Sequence, residues 1–248
     1  MKRNTLYQIF LAISFITYLI IYAPILNIVA QSLDLENFKK AFLHAELMHS
    51  LVLSFNISFT TSLLSILFSI LICYGLQEQS LQKIKNFRNI FMIPLMFPEI
   101  IMGISLLIWF LIIKIDLGYL SLIISHTMLT LPYAVVILTL GLEGFDEKIY
   151  EAAKDLGATH NQIFRMITLP MMIPSFAGIF VLSFVLSFDD FLISYFVNGV
   201  GNDTLPIKLY SLMRFGITPE LKALSVLILL FSLGVSFILF QIQKRIFT

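Results

Sequence analysis

Three carboxylates lie within the long apolar runs of this 248-residue chain: Glu99, Asp189 and Asp190. A charged side chain at mid-bilayer depth costs roughly 2.5–3.5 kcal/mol on insertion scales, so such a residue normally faces a cavity or a partner. The three charges have the same sign, and no Lys or Arg lies clearly within the same runs. This pattern favours a path for a cation. The alternative for each acid is a structural ion pair or hydrogen bond with a neighbouring protein.

Four polar residues share one face of a helix if that helix is regular: Ser183, Ser187, Asp190 and Ser194, spaced by 4, 3 and 4 residues. On this geometry we expect Asp190 and Ser187 to face a substrate pathway. Asp189 is then turned about 100° away, as consecutive helical residues are, and we expect it to brace a neighbouring helix.

Glu99 follows two prolines, Pro94 and Pro98, which remove helix hydrogen bonds and predict a kink or break. Broken backbone at membrane depth is tolerated where it is buried in protein or lines a water-filled cavity. Glu99 is therefore a further candidate for the substrate pathway. Because it lies on another helix and at another depth than the aspartates, we expect successive stations for a cation rather than one compact site.

Long apolar runs place these residues in a membrane. Hydrophobic residues make up 58% of the chain and charged residues 12%, against about 25% charged residues in soluble domains. A spanning helix needs about 20 mostly apolar residues. The sequence predicts six such helices, at 6–30, 51–76, 90–113, 117–142, 171–197 and 223–240. The excess of Lys and Arg in alternate loops favours cytoplasmic N- and C-termini.

Composition excludes several other functions. The net charge of +1 argues against nucleic-acid binding, which needs a basic face. The chain has one cysteine, Cys73, and its four histidines show no paired ligand spacing. It also has no GxxxxGK[ST] segment for a nucleotide. We therefore predict no catalytic residue, no cofactor and no metal site, and we interpret His126 as a hydrogen-bonded structural residue.

A polar segment of about 143–170 interrupts the apolar runs and predicts two short helices. Asp146 can cap the first helix, and Gly157 can end it in a left-handed conformation. Thr159 and Gln162 form a capping box for the second, and Pro170 follows it. A water-facing helix pair between two spans is suited to contact a soluble partner.

Residues 151–170 of this segment, EAAKDLGATHNQIFRMITLP, resemble the cytoplasmic loop of ABC-importer permeases that docks on an ATPase. The matching residues are Glu151, Ala152, Ala153, Gly157, Phe164, Ile167, Leu169 and Pro170. The resemblance implies an all-α, six-helix integral membrane protein with the type I ABC permease fold, a single transmembrane domain over residues 1–248. It also implies ATPase docking through Glu151, Ala152, Ala153 and Gly157, with ATPase activity on a separate chain.

The C-terminal third resembles the second of the two permease components of spermidine/putrescine importers. The likeness lies in SFDD at 187–190, LP at 205–206, YS at 210–211, GITPE at 216–220 and AL at 223–224, with PE at 98–99. It implies import of polyamines through the bacterial inner membrane. The implied partners are a homologous permease, two cytoplasmic ATPase subunits, an external polyamine-binding protein and lipid, and no nucleic acid.

Three alternatives stay open at this point. Permeases for other small solutes share the loop that begins at Glu151. An ion-coupled secondary transporter would use intramembrane acids as proton or sodium sites, but it has no need of the two-helix loop. A membrane scaffold or sensor has no reason to place acids on a polar helical stripe.

Overall fold

The computed structural model describes residues 2–32, 35–214, 216, 219, 221–230 and 234. Within these ranges every regular element is helical. The helices are α1 (Lys2–Ser32), α2 (Leu35–Leu43), α3 (Ala45–Leu76), α4 (Leu81–Met92), α5 (Glu99–Ile113), α6 (Tyr119–Glu143), α7 (Glu147–Asp155), α8 (His160–Ile163), α9 (Leu169–Met171), α10 (Ile173–Phe188), α11 (Leu192–Val197), α12 (Leu205–Met213) and α13 (Leu221–Leu230). A 3-10 turn (Pro94–Met96) precedes α5, and a π-helical turn (Phe164–Thr168) joins α8 to α9.

The described residues fall into two compact units. One unit lies within His49–Lys208 and contains all the candidate site residues. The other is formed by residues within Met1–Met48 and Leu209–Gln241. The predicted single domain over residues 1–248 stays a prediction.

Three helices are long and apolar enough to cross a membrane: α3, α6 and the Ile13–Ser32 part of α1. Two bent helix pairs raise this number to as many as five spans in the described part of the chain. The sixth predicted span, 223–240, overlaps α13 and extends outside the described residues, as does most of the GITPE segment.

The predicted third span, 90–113, is not one helix. The run Leu81–Met96 and the following helix α5 meet at an angle of 92°. The break has the expected cause, because Pro94 starts the 3-10 turn and Pro98 precedes α5 with an extended backbone, at φ −58° and ψ 135°. The prolines thus place Glu99 at the first position of α5.

The predicted fifth span, 171–197, is also interrupted. Helical turns continue through Pro170 to Met171, the chain bends by 60°, and α10 then runs only to Phe188. Helix α11 begins at Leu192, so the two aspartates lie in a three-residue break. The assumption of a regular helix through Asp189 and Asp190 is therefore wrong.

Helix α6 is the central helix of the larger unit. Its Ala134, Leu138 and Leu142 belong to one buried apolar cluster, which also contains Phe176 and Ile179 of α10. Toward its other end, α6 contributes residues to a second cluster with α5 and α11; the members of that cluster include Leu122, Leu129, Leu106, Phe110, Ile193 and Val197. The break between α10 and α11 is thus packed against a single continuous helix.

The turn after α11 approaches the start of α6 closely. Ser121 Oγ donates a hydrogen bond of 2.7 Å to the Val197 carbonyl oxygen. Gly199 has a φ of +65°, and a Cβ atom on it would overlap the Leu117 carbonyl oxygen. Only glycine combines this conformation with this approach.

Substituting Gly199 with alanine should lower the thermal stability of the protein, because the new methyl group forces two backbones apart. We expect a loss of about 1–3 kcal/mol. Gly201→Ala is a matched control, since Gly201 has a similar φ of +77° but open space around its Cβ position. Thermal unfolding of both variants in detergent tests this expectation, and equal melting temperatures would contradict it.

Candidate functional site

The three intramembrane carboxylates line one cavity. The cavity has a volume of about 260 Å³ and is lined by Glu99, Leu129, Val185, Leu186, Asp189, Asp190, Phe191 and Leu192. The proline break brings the start of α5 to the same place as the break between α10 and α11. The expectation of successive stations at different depths is therefore wrong, because the interrupted helices bring the acids together.

Glu99 is exposed and lies at the first position of α5. The N-terminus of a helix carries a partial positive charge, which attracts a carboxylate at this position.

Asp190 is buried, with 6% of its surface exposed. Its Oδ2 atom accepts hydrogen bonds from the Ser194 backbone N–H, at 2.8 Å, and from the Ser194 hydroxyl, at 2.9 Å. Its Oδ1 atom accepts a longer bond of 3.3 Å from the Ile193 N–H. Asp190 thus satisfies donors that the first turn of α11 would otherwise leave unpaired.

Asp189 differs from its neighbour in being exposed. It ends α10, with φ −93° and ψ −3°, and lines the cavity with Glu99. The exposure expected from a regular helix is therefore not observed: Asp190 is buried and bonded to α11, and Asp189 is exposed, while the pathway roles of both stay predictions. The reason is the break, which removes the 100° step between consecutive helical residues.

The serine stripe faces the protein interior. Ser183, Ser187 and Ser194 are all at most 3% exposed. Ser187 contacts the ring of His126, at 2.7 Å between Oγ and Nδ1. The pathway role predicted for Ser187 stays a prediction, while the prediction that His126 is hydrogen-bonded structure is confirmed by this contact.

The polar segment after α6 folds as the two predicted short helices. Asp146 accepts a bond of 3.0 Å from the Lys148 N–H at the start of α7. Gly157 follows the helix at φ +79°. The Thr159–Gln162 capping box is present, with the Thr159 N–H donating to Gln162 Oε1 at 2.8 Å. The structure confirms these local predictions. The sequence could make them because each depends only on neighbouring residues.

The predicted docking residues differ in their exposure to solvent. Glu151, Ala152 and Gly157 are exposed, whereas Ala153 is 9% exposed and turned into the protein. The spacing explains this difference, since Ala153 lies one turn after the half-buried Tyr150.

Sequence reasoning missed two exposed apolar residues of this segment, Leu156 at 88% and Met166 at 75% exposure. Leu156 lies four residues after Ala152, on the same face of the α7 segment. This spacing was the signal that could have identified it.

Polar contacts attach the segment of about 143–170 to the residues that follow α3, Gln77 and Glu78. The buried Gln77 accepts a hydrogen bond of 2.7 Å from the Thr168 hydroxyl. The Tyr150 hydroxyl lies 3.1 Å from the same Thr168 oxygen. Gln77, which follows α3, therefore bonds Thr168 directly and reaches Tyr150 of α7 through it.

Glu78 strengthens this attachment. Its carboxylate lies 2.9 Å from Lys154 Nζ and 2.8 Å from His160 Nδ1. The hydrogen bond from Lys154, with a second from His160, holds the pKa of Glu78 below its ordinary value. Burial instead raises the pKa of Tyr150, whose hydroxyl lies inside the attachment.

The lowered pKa predicts a pH dependence of the segment. The ionised Glu78 stabilises the attachment fully above the unfolded-state pKa, and this contribution is lost as the pH falls through the lower folded-state pKa. Because Lys154 is half exposed, the loss should be at most about 1 kcal/mol. As the pH falls through the folded-state pKa of Glu78, the hydrogen-exchange protection factors of α7 and α8, corrected for intrinsic exchange, should fall in the native protein. They should not fall in Glu78→Gln. An unchanged pH profile in Glu78→Gln would contradict the assignment.

Comparisons with known proteins bear on this arrangement. The family model described as binding-protein-dependent transport system inner membrane component matches residues 84–247. The spermidine/putrescine transport system permease protein PotC of Haemophilus influenzae is 32% identical over 235 residues, which cover 90% of this chain and 91% of the relative. The PotC protein of Escherichia coli K12 is 45% identical over 141 residues, or 57% of this chain and 53% of the relative.

Solved structures support the fold. The bacterial alginate ABC transporter, in complex with an alginate pentasaccharide-bound periplasmic protein, contains a chain similar to this one with a TM-score of 0.75. The two chains are 17% identical, and the alignment covers 99% of this chain and 96% of the other. At this identity the likeness concerns the fold alone, and it confirms the expected all-α type I ABC permease fold.

Proposed function

We propose a function for this chain from one premise: it belongs to the binding-protein-dependent transport system inner membrane components, the permeases of ABC importers. It is a multi-pass protein of the inner membrane, and a binding protein is one of its partners. Its function is to translocate polyamines, of the spermidine and putrescine type, into the cytoplasm in an ATP-driven importer.

The cavity with Glu99 and Asp189 is the observation that carries the polyamine assignment. Both carboxylates are exposed, and the buried Asp190 is a third acid in the lining of the same cavity. Among the described residues, no basic side chain lines this cavity. A field of one sign favours cations and repels anions, and a linear amine with separated charges can contact two separated carboxylates. The curated relatives are named for the same substrates.

The polar segment of about 143–170 supplies the connection to ATP. We place the ATPase contact on Glu151, Ala152 and Gly157, which are exposed, with Ala153 supporting α7 from inside. Two cytoplasmic ATPase subunits and a homologous permease complete the assembly, and both termini of this chain are cytoplasmic. ATP binding then moves the segment, and the contacts of Gln77 carry that movement to α3.

The direct test is uptake of labelled spermidine or putrescine by the reconstituted complex of both permeases and the ATPase, with the binding protein supplied outside. We expect uptake that requires ATP and that unlabelled polyamines compete. If another solute is carried and polyamines neither enter nor compete, the substrate assignment is wrong and the permease assignment remains. If the permease transports without the ATPase, an ion-coupled mechanism replaces the ATP-driven one.

A further inference from the structure

We infer that His126 is a positioning residue for the substrate cavity: it joins the two halves of the interrupted helix and thereby directs Asp189 into the cavity. This inference rests on the proposed function, because the orientation of Asp189 matters for transport only if a cation enters the cavity.

His126 contacts both sides of the break from the continuous helix α6. Its Nδ1 atom lies 2.7 Å from Ser187 Oγ, in the last turn of α10. Its Nε2 atom lies 2.9 Å from Ser194 Oγ, in α11. The ring is 1% exposed. One buried side chain therefore fixes the distance of both half-helices from α6.

The donor and the acceptor of each hydrogen bond between His126, Ser194 and Asp190 can also be assigned. The Ser194 hydroxyl has one proton and donates it to Asp190 Oδ2. The Nε2 atom of His126 must then carry the proton it shares with Ser194 Oγ. The same atom lies 3.5 Å from Asp190 Oδ2. Ser194 thus donates to Asp190 and accepts from His126, so His126 supports the Asp190 carboxylate through Ser194.

Fixing Asp190 determines where Asp189 points. The two residues are consecutive, so the side chain of one cannot be held against α11 without turning the other outward. Asp189 accordingly lines the cavity with Glu99. Without His126, the break can relax toward a regular helix, and in a regular helix Asp189 is rotated about 100° from Asp190. The side chain of Asp189 would then no longer be held toward the cavity.

Chemical labelling of Asp189→Cys measures this orientation without requiring transport. The native cysteine, Cys73, is fully buried, so the introduced thiol is the accessible one. We expect a water-soluble trimethylammonium methanethiosulfonate to label the full-length chain in membranes rapidly when His126 is present. In the His126→Ala background labelling should slow by about fivefold, the effect of losing one net hydrogen bond or more.

His126→Gln is the conservative variant, because its amide can replace one of the two ring contacts. We expect labelling rates between those of His126→Ala and the native background, with a normal amount of monodisperse protein after purification. Equal or faster labelling in His126→Ala would overturn the inference, and so would a His126→Gln variant no better than alanine. If only the polyamine assignment fails, the labelling contrast remains while polyamine uptake is absent, so the two failures are distinguishable.

Discussion

Replacing Gly157 with aspartate should release the ATPase from the membrane and reduce ATP-driven uptake by about tenfold or more, because an uncompensated charge at a protein interface costs several kcal/mol. Gly157 is exposed, and the space around its Cβ position is open. The new side chain therefore does not disturb the fold of the segment by overlap. The change falls beside Ala152 and Leu156, on the surface proposed to contact the ATPase. ATPase recruitment to membranes and uptake by the same membranes are the measurements.

The chain provides a matched control for the backbone effect. Gly157 has a φ of +79°, which costs about 1 kcal/mol for a residue with a Cβ. Gly201 has a φ of +77° and equally open surroundings, but it lies in the turn after α11. Gly201→Asp thus introduces the same charge with the same backbone strain away from the proposed interface. If both variants keep the ATPase bound, the segment does not dock in the proposed way; if both lose it, backbone strain is the cause.

Local sequence signals correctly predicted the caps and the glycine turn of the polar segment of about 143–170. The cap of Asp146, the left-handed Gly157 and the Thr159–Gln162 box each depend on residues within one turn. Such signals do not depend on the rest of the fold. The attachment of the segment through Gln77 could not be predicted in this way, because Gln77 is distant in sequence from Thr168.

The candidate cavity was predicted less completely. Residue type alone identified the three acids, because a charge in an apolar run requires an explanation. The prolines correctly placed a break before Glu99. The break at Asp189 and Asp190 has no proline within it, and it forms where the Asp190 carboxylate binds the backbone of α11 and His126 supports it from α6. A regular 3.6-residue period was therefore the wrong geometry at this point, and it did not predict that Asp190 is buried and Asp189 exposed.

Asp189→Asn should reduce polyamine uptake by about tenfold or more, because it removes one of the two exposed charges that a cation meets in the cavity. The substitution preserves the size of the side chain, and Asp189 is exposed, so the protein should assemble normally. Uptake at several polyamine concentrations, with the amount of assembled complex measured in parallel, separates transport from assembly. The expected signature is weaker uptake at low concentration by a complex formed in normal amount.

Asp190→Asn is the counterpart, and its effect should fall on assembly. The buried carboxylate accepts bonds from the Ser194 N–H, the Ser194 hydroxyl and the Ile193 N–H. An asparagine amide group directs a donor at one of these donors, and an unsatisfied buried group costs about 1–3 kcal/mol. We therefore expect less folded complex, with near-normal uptake per assembled molecule. If instead Asp190→Asn removes uptake from a fully assembled complex while Asp189→Asn is harmless, Asp190 is the substrate contact, and the break does not separate the two aspartates in the working transporter.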